Sequence, residues 1–105
     1  MVTINGKEYG LFYTVGVNVA FNAWVIKNPK ATYVEGMIQK CIYMIKAYND
    51  ANGIADNAPT KEEIFLMPNA VFNDILKAVE EQEKIDNERQ IEATSKNAES
   101  ASPSE

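Results

Sequence analysis

The chain contains no histidine and a single cysteine, Cys41. Without histidine, zinc sites of the His/Cys kind, Ser-His-Asp and Cys-His nucleophiles and imidazole general bases are excluded by inventory. One thiol cannot close an internal disulfide, which fits a reducing cytoplasmic compartment. Arginine is nearly as scarce, since Arg89 is the only one and the lysines are spread singly. With 15 acidic against 10 basic side chains and a net charge of −5, the chain lacks the clustered cations that nucleic acid or an anionic membrane surface requires. Its five glycines are scattered and build no phosphate-cradling loop, so no nucleotide cofactor is expected. No basic n-region precedes an apolar segment at the start, so no secretory signal is expected either.

What is present is an ordinary globular composition, 105 residues with 46% hydrophobic and 24% charged side chains. That length suits one small domain with a modest core. One stretch stands apart: from Tyr9 to Ile26 no residue is charged. The run reaches the lower length limit of a transmembrane helix. Gly10, Thr14, Gly16, Asn18 and Asn22 interrupt it, and a buried strand followed by a core helix accounts for it better, with no membrane segment.

Local signals divide the chain into elements. Val2-Thr3-Ile4 and Lys7-Glu8-Tyr9 flank Asn5-Gly6, the pair that supplies the two positive φ angles of a type I′ hairpin turn. Leu11, Phe12 and Tyr13 are expected to extend the second strand. From Val17 to Lys27 the period becomes helical, with Val17, Ala20, Phe21, Trp24 and Val25 on one stripe and Val15, Val19, Ala23 and Ile26 around the rest. Such a helix is expected to be buried on most sides, and Asn28-Pro29 ends it. Thr32 with Glu35 forms a capping box opening a helix from Thr32 to Asn52, whose stripe is Val34, Met37, Ile38, Cys41, Ile42, Ile45 and Tyr48. Gly53 sits where a left-handed helix cap belongs. Thr60 with Glu63 forms a second capping box, opening a last helical region, Thr60 to Ala93, broken near Pro68, with Phe72, Ile75, Leu76 and Val79 as its apolar stripe. The Ser-rich segment from Thr94 to Glu105 has too little apolar surface to offset its ordering entropy, and disorder is expected. The fold class is therefore α+β, mainly α: an N-terminal β-hairpin, three to four helices and a disordered C-terminal tail, with residues 1–93 as one small domain.

No constellation points to catalysis. Glu80, Glu81 and Glu83 fit a solvated helix face, and Glu62 and Glu63 complement a helix dipole. Asp50, Asn52, Asp56 and Asn57 surround Gly53 but do not reproduce a calcium-loop spacing. Cys41 lies on an apolar stripe, where a buried, inert thiol is the default. No catalytic, cofactor-binding or metal-binding residue is assigned. Aromatic and Met side chains remain. Tyr43, Met44, Phe65 and Met67 leave the core stripes, and they are the expected partner-binding residues, because exposed apolar patches mark protein interfaces.

The opening Ile4-Asn5-Gly6-Lys7-Glu8-Tyr9, then Leu11 and the aromatic stretch into Val15-Gly16-Val17, resembles the tail assembly chaperones of tailed phages and prophages, notably of Gram-positive hosts. Thr60-Lys61-Glu62-Glu63-Ile64, followed by Leu66-Met67-Pro68, Phe72 and Leu76, is similar to the segment before that family's last helix. The resemblance covers roughly residues 2–80, and Trp24 and Asn28-Pro29 depart from the commoner pattern. It implies a short β element on a helical body and a non-catalytic protein of the bacterial host cytoplasm. It also implies partners: the tape measure protein and the tail tube protein. A self-assembling head-to-tail connection protein and a small regulatory protein-binding domain are the alternative readings, and a homo-oligomer is compatible with any of them.

Overall fold

The computed structural model describes residues 1–55 and 57–101, with side-chain placement through Arg89. The hairpin forms as the Asn-Gly pair dictates. Strands β1 (Val2–Ile4) and β2 (Lys7–Tyr9) are antiparallel, pairing Val2 with Tyr9, Thr3 with Glu8 and Ile4 with Lys7. Asn5 and Gly6 take φ of 52° and 77°, the two positive angles that make the turn follow the twist of the strands. Val2, Ile4 and Tyr9 are buried.

The second strand stops at Tyr9, and Leu11 to Tyr13 do not extend it. The chain turns instead onto a helix: the Phe12 N–H donates to the Met44 carbonyl at 3.1 Å. Gly10 permits this approach, because a β-carbon there would overlap the ring of Tyr48.

Helix α1 spans Val15–Lys27 and starts two residues before Val17, because Thr14 caps it by accepting the Val17 N–H at 3.2 Å. Asn28 closes it, with its backbone N–H on the Val25 carbonyl and its side-chain amide on the Trp24 carbonyl at 2.8 Å. The expected burial of this helix on most sides is wrong. Only Val17 is buried, while Val15, Val19 and Ile26 are 80%, 64% and 79% exposed. The reason is architectural: α1 packs mainly on one neighbour, α2, which can cover a single stripe of a helix that is apolar all round.

Helix α2 (Tyr33–Ala51) is the centre of the fold, touching α1, α3 and α4. Its capping box is complete: Thr32 accepts the Glu35 N–H at 3.2 Å, and the Glu35 carboxylate accepts the Thr32 N–H at 3.2 Å. Its far end is a Schellman motif, with Gly53 at φ 65°, Ile54 N–H on the Asn49 carbonyl at 2.9 Å and Gly53 N–H on the Asp50 carbonyl at 3.4 Å. Met37, Ile38, Cys41, Ile42 and Ile45 are buried as their spacing predicts. Val34, in the first turn, is half exposed, and Met44 is fully buried instead. A helix with neighbours on several sides buries more than one stripe.

Helix α3 (Lys61–Phe65) is capped by Thr60, which accepts the Glu63 N–H at 3.3 Å. The expected second capping box is only half formed, because the Glu63 carboxylate reaches the hairpin turn instead, where the Asn5 amide donates to it at 3.2 Å. Pro68 then separates α3 from α4 (Asn69–Ala101). Phe72, Ile75 and Val79 of α4 are buried, and this part of the helix packs against β1. The helical backbone continues to Ala101, eight residues past the expected end at Ala93. Of the expected disordered tail, 102–105 lie outside the described residues. Among the described residues no helix is long and apolar enough to cross a membrane. The uncharged run divides between an irregular segment and the 13-residue α1.

Candidate protein-binding surface

Cys41 is fully buried in the core, and burial pushes its thiol up to about 12. Such a thiol is protonated at neutral pH and shielded from reagents. Among the described residues no group of three His, Cys, Asp or Glu side chains could hold a metal ion. Asn49 and Asn52, beside the acidic loop, are engaged locally: the Asn49 amide donates to Asn57 at 3.4 Å and the Asn52 amide to the Tyr48 carbonyl at 2.8 Å.

The four expected partner-binding residues separate. Met44 has no exposed surface and belongs to the core, so it offers nothing to a partner. Tyr43 and Met67 are half-buried and pack against that core. Tyr43 also lines an open hollow of about 450 Å³ with Val17, Ala20 and Ala47, between α1 and α2. Phe65 is exposed, and its neighbour Leu66 is more so, at 87%.

The larger apolar surface is on α1, where sequence reasoning did not place one. Val15, Val19, Ala23 and Ile26 recur at helical spacing along its outer side, and all four are exposed. No charge interrupts this stripe. The signal was present in the sequence: a helix apolar on every side is a liability in a chain with few elements to cover it.

On the other side of α1 lies an aromatic groove. The rings of Phe21 and Trp24 stack, with centroids 6.3 Å apart and planes 14° from parallel. Gly36 lies beneath the pair, where even a β-carbon would be in ordinary contact with both. Met37, Val25 and Tyr33 help line a hollow of about 290 Å³, at the lower edge of the ~300–1,000 Å³ usual for small-molecule sites. Two lysines stand over the rings: Lys40 Nζ is 4.5 Å from the Phe21 centroid and Lys61 Nζ is 5.1 Å from the Trp24 centroid. Lys40 is also paired with Glu83 of α4 at 3.1 Å and lies 6.0 Å from the Tyr13 ring. The Tyr13 hydroxyl is held above its usual range by burial and by the nearby Glu83 and Asp86 carboxylates.

These surfaces have the chemistry of protein contacts: apolar area with a few charged groups at the rim. The chain matches no protein-family model, no curated protein and no solved structure.

Proposed function

We propose that this protein is a non-catalytic tail assembly chaperone that binds the tape measure protein during phage tail morphogenesis in the host cytoplasm. The observation that carries the reading is the uncovered α1 stripe of Val15, Val19, Ala23 and Ile26. An isolated helical face of this kind takes an amphipathic helix of a partner, whose own apolar side would otherwise be exposed to aggregation. A client of great length and high helix content provides many such faces. The net charge of −5 keeps the free chaperone from associating through the same stripe without limit. The resemblance of the hairpin and of the Thr60–Leu76 segment to tail assembly chaperones supports the same assignment. The tail tube protein is a second proposed partner.

The test is a charge placed on the stripe. Val19→Glu with Ile26→Glu replaces exposed side chains, so circular dichroism and thermal melting are expected to match the parent. Co-expression with a phage tape measure protein that the parent chain binds is expected to give no complex. Retention of the complex by this folded variant would remove α1 as the client surface.

A further inference from the structure

The charges of this chain are divided along its length. Up to Lys61 there are six lysines against four carboxylates, and beyond it eleven carboxylates against four cations. The division has a spatial counterpart. Lys61 and Lys40 stand over the aromatic groove between α1 and α2, and Lys27 and Lys30 line a second hollow that shares Asn28, Pro29 and Ala31 with it. The result is an apolar track rimmed by lysines, with Glu35, already held in the Thr32 cap, as the carboxylate on its second hollow.

Helix α4 carries the complementary surface. Its last buried apolar side chain among those described is Val79. With 33 residues it is about 50 Å long, in a molecule measuring 60 × 32 × 25 Å, so its far part extends beyond the packed body. There Glu80, Glu81, Ile85 and Glu88 border one open hollow with Lys77 and Lys84, and Ile85 is an exposed apolar anchor. The pairing chemistry has a precedent inside one molecule, since Glu83 already holds Lys40 beside the Phe21 ring. Glu83 faces its own α2. A rigid helix cannot also turn the Glu81–Ile85–Glu88 side to the same groove, so that side is free only for another molecule.

We infer that a second copy of this chain seats the Glu81–Ile85–Glu88 face of its α4 on the lysine-rimmed groove between α1 and α2, giving head-to-tail association. The carboxylates meet Lys61 and Lys30, and Ile85 enters against Trp24 and Val25. The two surfaces are different parts of the molecule, so the contact is heterologous, and it grows into a filament or closes into a ring. It leaves the outer α1 stripe uncovered and is independent of the client reading above.

Reciprocal variants of the full chain test this by sedimentation velocity across a concentration series. Wild type is expected to associate progressively, and high salt is expected to weaken it. Lys30→Gln with Lys61→Gln spoils the groove, and Glu81→Gln with Glu88→Gln spoils the α4 face, the neutral replacements being chosen so that the two spoiled surfaces cannot pair with each other. All four side chains are at least partly solvent-exposed, and unchanged circular dichroism establishes folding. Each variant alone is expected to lose about tenfold or more in self-association. An equimolar mixture is expected to form a two-chain complex that grows no further, because one good groove meets one good α4 face. A wild type that stays monomeric, oligomers that survive both variants, or a mixture that stays monomeric would each overturn the proposal. So would a monomeric wild type that binds poly-glutamate, which would give the groove to a foreign acidic chain.

Discussion

Gly10 and Tyr48 are packed so closely that a β-carbon on residue 10 would overlap the tyrosine ring. This contact brings the segment after β2 onto α2, where Phe12 bonds to the Met44 carbonyl. Gly10→Ala is expected to cost about 1–3 kcal/mol through overpacking. In a Tyr48→Ala background most of that cost is expected to vanish, because the obstructing ring is gone. Urea denaturation of the four proteins gives the coupling directly, and additive costs would contradict the packing account.

Met44 and Phe65 were grouped by sequence and are opposed by structure. Met44 is fully buried and Phe65 is 59% exposed. Met44→Ala is expected to destabilise by about 2–5 kcal/mol, and Phe65→Ser by no more than about 0.5 kcal/mol. Thermal melting of the two variants checks the division.

The two Thr-x-x-Glu sequences are expected to respond differently to loss of the glutamate. Glu35 closes a reciprocal cap with Thr32, whereas the Glu63 carboxylate reaches Asn5. Thr32→Ala is expected to cost about 0.5–2 kcal/mol. Glu35→Ala should lower stability more than Glu63→Ala, whose exposed partner returns to water at little cost. Chemical denaturation ranks the three.

Cys41 makes stability depend on alkaline pH. The folded state holds the thiol protonated up to about 12, against an ordinary value near 9. Below the ordinary value both states are protonated and the contribution is fully present. As pH rises from there toward the folded value, only the unfolded chain releases its proton, and stability falls by about 1.4 kcal/mol per pH unit. Tyr9 and Tyr13 are shifted up as well, chiefly by burial, so the comparison that isolates the thiol is with Cys41→Ala. The stability difference between the two proteins is expected to shift by about 1 kcal/mol between roughly pH 9 and pH 10. A constant difference would contradict the buried, protonated thiol.

The features legible in the sequence were those set by neighbouring residues. Asn5-Gly6 determines its turn, Thr32 and Glu35 satisfy each other's backbone, and Gly53 supplies a left-handed cap without help from the rest of the chain. What escaped depends on distant packing. Nothing near Val15, Val19 or Ile26 shows that α2 covers only one side of α1. Burial of Met44 follows from α2 having neighbours on several sides, which its own stripe does not show. The groove needs Lys61, 37 positions from Trp24 in the chain. The expected surface therefore contained one core residue and omitted the α1 stripe.

The most direct test of the proposed function is co-expression of the unmodified chain with the product of the long reading frame that follows its gene, the place where the proposal puts a tape measure protein, followed by size-exclusion chromatography with light scattering. The account predicts a soluble complex of defined stoichiometry, with the client insoluble when expressed alone. A client that is soluble by itself and elutes separately from this chain would contradict it.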